Sequence, residues 1–197
     1  MLLSAPLILG VRLQEMHLPR RVFLDTNVVN FVLDHGASIF DGEVPQEGLS
    51  HRDLEDVDAL HLIFRTGERA HWELAISPLT YAEISQTRDP ARRASLERWF
   101  AEVWTYWREC FAEDGTLSDE YAEELAMTMA QSEQLKAFPD ETDRRLICHA
   151  IAYECDAFCT RDHKTILRRT KLAPALPLAI FSPKEWGEHI YEARRGF

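Results

Sequence analysis

Short apolar runs alternate with helical patterns in the carboxyl-terminal third of the chain. The spacing predicts a helix at 142–154, a strand at 157–160, a helix at about 162–169, a strand at 178–181 and a helix from Pro183. This alternation indicates parallel strands joined by helical crossovers, because a parallel pair needs a long connection. We therefore expect an α/β fold with a central, mostly parallel sheet.

The first two thirds of the chain add two more short apolar runs among several helical patterns. In chain order, the predicted elements are a strand at 22–24, a helix at 28–33, a loop at 36–50, a helix at 50–64, a strand at 74–77, a helix from Pro78, and two long helices at 90–111 and 118–138. No repeat, low-complexity stretch or long linker divides these elements. We expect one domain over 21–197, with helical insertions at about 50–66 and 90–138.

The helix at 90–111 carries a broad apolar stripe whose members recur every three or four residues. Packing of this stripe against the core is the favoured interpretation. Two other uses stay open: contact with a second copy or with a partner helix from an antitoxin-like protein, and stacking of unpaired bases. The stripe consists of Leu96, Trp99, Phe100, Val103, Trp104, Trp107 and Phe111.

The charge balance limits how the chain can contact a polyanion. The 197 residues include 22 Lys and Arg against 33 Asp and Glu, and the formal net charge is −11. Electrostatic binding of nucleic acid by the whole protein surface is therefore excluded. The charge is uneven, since ten Lys and Arg stand against six acids from Arg144 onward. We expect any polyanionic partner to meet this basic segment.

Cysteine usage favours a reducing compartment. The last three of the four cysteines cluster around an apolar stretch without the paired spacing of a common metal site. We predict reduced, buried thiols and a cytoplasmic protein. A zinc site that includes His149 and His163 is the less favoured alternative. The cysteines are Cys110, Cys148, Cys155 and Cys159.

The most apolar segment of the chain is at 1–11. This run is about half the length that spans a bilayer. It also lacks the basic start of an export signal, because the first cation is Arg12. We therefore expect no membrane association. Residues 1–20 are interpreted as a packing arm or extra strand, or as an over-called start with translation beginning at Met16.

Four acidic residues lie at similar places relative to the predicted elements. Asp25 follows the first strand, Glu83 lies just after the second, Asp143 is at the start of a helix, and Asp162 follows the third strand. A parallel sheet would bring such positions together, and converging carboxylates repel one another unless a cation lies among them. Oxygen-only ligation suits Mg²⁺ or Mn²⁺, which indicates phosphodiester hydrolysis. A solvated acidic surface is the alternative for each residue taken singly.

Short motifs around these four acids resemble those of the PIN-domain nucleases. Their order and strand context agree with that family from Arg21 to Trp186. The motifs are Phe23-Leu24-Asp25-Thr26-Asn27, Ile76-Ser77-Pro78-Leu79-Thr80-Tyr81-Ala82-Glu83-Ile84, Asp143-Arg144-Arg145-Leu146-Ile147-Cys148-His149-Ala150 and Ala157-Phe158-Cys159-Thr160-Arg161-Asp162, with the closing segment Phe181-Ser182-Pro183-Lys184-Glu185. The resemblance implies a flavodoxin-like three-layer α/β/α sandwich and a metal-dependent ribonuclease that usually acts on single-stranded RNA.

The resemblance also implies roles for individual residues. Asp25, Glu83, Asp143 and Asp162 would bind Mg²⁺ or Mn²⁺ and position water for catalysis. Asp140 crowds the third motif and competes with Asp143 for its role. The supporting polar residues, expected to orient carboxylates or water, are Thr26, Asn27 and Thr160. The cations that flank the third and fourth motifs and could hold RNA phosphates are Arg144, Arg145, Arg161 and Lys164.

Several alternatives remain at this level. One alternative is the toxin of a toxin–antitoxin pair with the same chemistry. The interval from Asp25 to Glu83 is longer than compact members of the family need, which weakens this interpretation. A PIN-like module that binds RNA or protein without cutting is a second alternative. A phosphatase with an aspartyl nucleophile is disfavoured, because Asn27 stands where that chemistry needs a second acid. A homodimer is also possible.

Overall fold

The computed structural model describes residues 18–70, 72–112, 118–172 and 176–195. Four strands form one sheet in the order β2-β1-β3-β4, and each neighbouring pair is parallel. The prediction of an α/β fold with a parallel sheet is therefore confirmed. The strands are β1 (Arg21–Leu24), β2 (Glu73–Ala75), β3 (Ala157–Cys159) and β4 (Ala179–Phe181).

Helices make the connections between the strands. Two π-helical turns at Ala37–Asp41 and His163–Leu167 and a 3₁₀ turn at Thr170–Leu172 complete the described elements. The helices are α1 (Thr26–Asp34), α2 (His51–Ala70), α3 (Pro78–Ser85), α4 (Pro90–Ala112), α5 (Asp119–Met129), α6 (Glu141–Ala152) and α7 (Pro183–Arg195).

Apolar side chains are buried on both faces of the central strands. Val22 and Leu24 of β1 join a cluster with apolar residues of α1, α2 and α7, whereas Phe23 joins a second cluster with residues of α5 and α6. Successive side chains of a strand point to opposite faces, so one run of three apolar residues supplies both clusters. Burial on both sides explains why the last three residues of β1 and all of β3 are apolar rather than alternating.

Local capping signals place the helix starts where the sequence predicts them. The Ser50 hydroxyl accepts a hydrogen bond from the Asp53 backbone N–H at 3.2 Å and donates to the Asp53 carboxylate at 2.7 Å, which is a reciprocal cap for α2. Helix α3 begins at Pro78, whose fixed φ suits the first helical position. Helix α2 continues beyond the predicted end to Ala70, since the apolar period marks only its buried part.

The predicted helix at 118–138 is wrong in its second half. Helix α5 ends at Met129, and tight turns follow, in which Leu135 N–H donates to Ser132 O at 3.1 Å and Phe138 N–H donates to Leu135 O at 2.9 Å. These turns bury the side chains of Leu135 and Phe138 completely. Burial of two large apolar side chains therefore decides the conformation of this segment over its helical propensity.

Two further predictions need correction. The predicted loop at 36–50 contains a π-helical turn, which is anchored by the fully buried Ile39 and ends at Gly42 with a φ of 71°. The helix predicted at about 162–169 is instead the π-helical turn His163–Leu167, in which the Leu167 N–H donates to Asp162 O, five residues back, at 2.9 Å. The separate 3₁₀ turn at Thr170–Leu172 follows it.

The apolar stripe of α4 packs against the core where its side chains are described. Leu96 and Phe100 are buried, and Trp99, Val103 and Trp104 pack against the same cluster. The favoured interpretation is confirmed for these residues. The side chains of Trp107, Cys110 and Phe111 lie outside the described residues, as does the segment 1–17 with its alternative start at Met16.

The cysteines with described side chains agree with the sequence expectation. Cys148, Cys155 and Cys159 are free and buried. Burial raises the pKa of the Cys148 thiol to about 11, so this thiol is protonated at neutral pH. Over the described ranges of the chain, no helix combines the length and the apolar character needed to cross a membrane.

Candidate metal centre

Asp25 lies at the carboxyl end of β1 and is 4% exposed. It precedes α1 as its N-cap, but its side chain makes no capping hydrogen bond. The carboxylate instead accepts hydrogen bonds at Oδ2 from the Thr160 hydroxyl at 2.5 Å and from the Asn27 side-chain amide at 2.6 Å. Two of the three predicted supporting residues therefore contact Asp25 directly.

The third supporting residue contacts a second acid. Thr26 is the first residue of α1, and its hydroxyl donates a hydrogen bond to Glu83 Oε2. Glu83 lies on α3, directly after β2, and its side chain is partly buried. The chain runs from β1 through α1 and α2 to β2 and then into α3, and this path brings Glu83 to the end of β1, next to Asp25.

Asp143 and Asp162 share a hydroxyl group. Thr165 Oγ1 lies 2.5 Å from Asp162 Oδ2 and 3.1 Å from Asp143 Oδ2. Asp162 Oδ1 also accepts the backbone N–H groups of Lys164 at 2.8 Å and Thr165 at 2.7 Å, which caps the following π-helical turn. Thr165 is absent from the sequence prediction; its position three residues after a capping acid is the signal that points to it.

The pKa values show that the four acids influence one another. Burial, together with the negative charges of Asp143 and Glu83, raises the pKa of Asp25 to about 7, although the Thr160 hydrogen bond acts in the opposite direction. Burial and the charges of Asp140, Asp162 and Glu83 raise the pKa of Asp143 to about 6. The structure therefore brings all four predicted acids into one group, here called the acidic cluster: Asp25, Glu83, Asp143 and Asp162.

The pKa values of the other two members of the acidic cluster shift in opposite directions. Burial, with a contribution from Asp140, raises the pKa of Glu83 despite its bond from Thr26. Partial burial alone would raise the pKa of Asp162, but hydrogen bonds from the Thr165 hydroxyl and from backbone N–H groups lower it below its usual value. Asp162 is thus ionised at neutral pH, whereas Asp25, with a pKa of about 7, is only partly ionised there.

Asp140 serves the helix rather than the acidic cluster. Its side chain is the N-cap of α6 and accepts the backbone N–H groups of Thr142 at 2.7 Å and Asp143 at 3.3 Å. The residue is exposed, and its charge contributes to the raised pKa of Asp143 and Glu83. The geometry therefore distinguishes two acids that the sequence could not separate.

Three of the four predicted phosphate-binding cations are already engaged. The Arg144 guanidinium donates to the carbonyl oxygens of Phe138 at 2.8 Å and Pro139 at 3.0 Å. Arg145 forms an ion pair with Glu123. Lys164 is exposed, and its ammonium has no partner in the part of the chain that the structure describes. Lys164 therefore needs no exchange of partners to contact a phosphate, whereas Arg144 and Arg145 would have to release theirs.

Arg161 is the fourth predicted cation, and α2 holds it. Its Nε lies 2.8 Å from Asp56 Oδ2 and its Nη2 lies 2.5 Å from Asp53 Oδ1. The guanidinium carbon also lies 3.5 Å from the centre of the Phe31 ring. Because two carboxylates neutralise this cation, an RNA phosphate would have to compete with them.

The donor chemistry of the acidic cluster fits a hard divalent cation. All four side chains are carboxylates, and their mutual repulsion would fall if a cation lay among them. Within the described ranges, no three His, Cys, Asp or Glu side chains are arranged to ligate one ion together, which also applies to the zinc alternative with His149 and His163. Ligation of one ion by several members of the acidic cluster therefore requires the carboxylates to reorient. At present they are hydrogen-bonded to the hydroxyl groups of Thr26, Thr160 and Thr165.

Comparisons of the chain with protein-family models, with curated proteins and with solved structures find no match. The function is therefore inferred from the acidic cluster and its surroundings.

Proposed function

We propose that this chain is a metal-dependent ribonuclease of the PIN type that hydrolyses phosphodiester bonds of single-stranded RNA. The observation that carries this proposal is the convergence of four acids from separate segments, with the pKa of buried Asp25 raised to about 7. Acids that perturb one another in this way are a frequent mark of functional sites. Buried free thiols support assignment to the cytoplasm.

The sheet topology supports the same proposal. The strand order β2-β1-β3-β4 matches the first four strands of the flavodoxin-like order. Apolar clusters on both faces of the sheet support a three-layer α/β/α sandwich. The acidic cluster follows the carboxyl ends of β1 and β3, which is where open parallel sheets bind their ligands.

The acidic cluster would hold Mg²⁺ or Mn²⁺, with RNA phosphate oxygens completing the ligand set. When bound, such an ion lowers the pKa of an attacking water and offsets charge on the phosphoryl oxygens. Thr160 and Asn27 orient the Asp25 carboxylate, and Thr165 orients those of Asp143 and Asp162. Lys164, beside Asp162, would attract the phosphate backbone.

Cleavage of labelled single-stranded RNA tests this proposal. The wild-type chain is expected to cut with Mn²⁺ or Mg²⁺ and not with EDTA, and Asp25→Asn should lower the rate by more than about 100-fold. Glu141→Gln, which makes the same carboxylate-to-amide change at an exposed position of α6, is the matched control and should cut normally. Cutting that persists in EDTA, or equally in Asp25→Asn, would refute the proposal. Binding without cutting would favour a non-catalytic RNA-binding module.

The roles of Asp140 and Asp143 are separable by parallel substitutions. Asparagine caps helices about as well as aspartate, so Asp140→Asn should keep α6 and leave the cleavage rate within about threefold of wild type. Asp143→Asn should reduce cleavage as strongly as Asp25→Asn does. Initial rates at saturating Mn²⁺ measure both effects, with circular dichroism as the control for helix content. Equal losses in the two variants would show that Asp140 shares the role of Asp143.

A further inference from the structure

Arg161 lies in the turn after β3, between two residues of the candidate site. Thr160 contacts Asp25, and Asp162 is itself a member of the acidic cluster. The Thr160 hydroxyl donates to Asp25 Oδ2 at 2.5 Å, and the Asp162 backbone N–H donates to Thr160 Oγ1 at 3.0 Å. A displacement of this turn would therefore move Asp162, a member of the acidic cluster, together with Thr160, which holds Asp25.

Helices α1 and α2 both hold Arg161 in place. Its backbone N–H donates to Asn27 Oδ1 at 2.8 Å, and its guanidinium lies 3.5 Å from the Phe31 ring centre, so α1 contacts both ends of the residue. The ion pairs to Asp53 and Asp56 attach the same side chain to the first two turns of α2. We call this set of contacts, from Asp53 and Asp56 through Arg161 to the turn after β3, the α2 clamp.

The α2 clamp is largely removed from solvent. The Arg161 side chain is 19% exposed and that of Asp56 is 1% exposed. Asp56 Oδ1 has no hydrogen-bond partner among the described residues, so Arg161 is the cation on which this buried carboxylate depends. A buried ion pair gains little net stability over an apolar pair of the same shape, whereas it restricts the geometry of the groups it joins. Because the α2 clamp lies beside the acidic cluster, the restricted geometry of this ion pair holds the turn after β3 in one position relative to the cluster.

We propose that Arg161 is a positioning residue, through which α2 sets the placement of Asp162 in the acidic cluster and of Thr160, which holds Asp25. The inference rests on the proposed function, because a metal-binding cluster is what the placement serves. It also assigns a role to the long interval between Asp25 and Glu83, which contains α2. Arg161 is then an internal support and does not itself bind the RNA phosphate.

Conservative variants of the α2 clamp test this inference. Arg161→Lys keeps the charge but loses the two-pronged geometry, and Asp56→Asn keeps the shape but loses the charge. Arg92→Gln is the matched control, since Arg92 also pairs with a carboxylate, that of Asp34, at a place away from the acidic cluster. Near-ultraviolet circular dichroism and urea unfolding establish that each variant is folded.

Two measurements are made on each variant: Mn²⁺ affinity by calorimetry on metal-free protein, and the kinetics of RNA cleavage, which give kcat and KM. Arg161→Lys and Asp56→Asn are expected to weaken Mn²⁺ binding by about 10- to 100-fold and to lower kcat similarly, with KM for RNA nearly unchanged. The double variant should lose less than the product of the two single losses, because both changes disrupt one unit. Arg92→Gln should match wild type in both measurements.

The possible outcomes separate this inference from the proposed function. A raised KM with unchanged Mn²⁺ affinity and kcat would overturn it and make Arg161 an RNA contact. Folded variants with wild-type Mn²⁺ affinity and kcat would also overturn it, since the α2 clamp would then be structural only. Weaker Mn²⁺ binding in the variants of a chain that cuts no RNA would support the α2 clamp and refute the nuclease. A wild-type chain that binds neither Mn²⁺ nor Mg²⁺ would overturn both.

Discussion

Replacing Asp25 with asparagine is expected to stabilise the metal-free protein at pH 8, although the proposed function predicts that the same change lowers the cleavage rate. Burial and neighbouring acids raise the pKa of Asp25 from 3.8 to about 7 in the folded state. Between these two pH values the folded protein keeps a proton that the unfolded chain has released, so the free energy of unfolding falls as pH rises. Above pH 7 the loss is complete and amounts to about 4 kcal/mol at most. The asparagine side chain does not ionise, so the variant does not lose this free energy of unfolding as pH rises.

Urea unfolding in EDTA at pH 5 and pH 8 measures the effect. Asp25→Asn should exceed wild type by up to about 4 kcal/mol at pH 8 and by less than about 2 kcal/mol at pH 5, where the wild-type carboxyl is largely protonated when folded. The exposed control Glu141→Gln should show no comparable pH-dependent gain. A variant that is less stable than wild type at pH 8 would contradict the raised pKa of Asp25.

Addition of Mn²⁺ should reverse the order of stability. A ligand that binds only the folded state adds to the free energy of unfolding in proportion to the logarithm of its concentration. The wild-type chain should therefore gain stability with Mn²⁺, and Asp25→Asn should gain little. Such a result would mean that the acidic cluster holds carboxylates together at a cost in stability that a cation offsets.

Truncation of Phe158 is expected to have the largest destabilising effect in the core. Phe158 lies in the middle of β3, is 0% exposed, and stacks on Phe23 of β1 with ring centres 5.5 Å apart. Phe158→Ala removes a buried ring from between the sheet and α6, and a cavity remains where the neighbours cannot close in. The expected loss in free energy of unfolding is about 3–5 kcal/mol.

The matched control for Phe158→Ala is Phe40→Ala, which removes the same atoms from a residue that is 49% exposed. Its expected loss is below about 1.5 kcal/mol, because water already covers much of the ring and its contact with Phe64 is the main one lost. Urea unfolding at one pH compares the two variants directly. Similar losses would mean that the Phe158 ring is not closely packed by its neighbours in the second apolar cluster.

Much of the local structure follows from the sequence alone. The run of three apolar residues before Asp25 predicts both the strand and its end, and the cap at Ser50 and the proline at Pro78 predict the starts of α2 and α3. The order of strands and helices predicts a parallel sheet, and hence the meeting of acids that follow its strands. These features depend on side-chain pattern and capping within a few residues, so that no knowledge of distant partners is needed.

The tertiary structure decided which side chains meet. Thr160 bonds to Asp25 across 135 residues, and Arg161 pairs with Asp56 across 105 residues. The apolar periodicity of a sequence does not predict such pairs. It indicates which face of a helix or strand is apolar, but it does not indicate which polar side chains meet when two elements pack. For the same reason, the sequence could neither separate Asp140 from Asp143 nor foresee that burial of Leu135 and Phe138 ends α5 early. The acids and three of their supporting residues were thus named from the sequence, whereas Thr165 and the ion pairs of Arg161 with Asp53 and Asp56 became visible only in the packed structure.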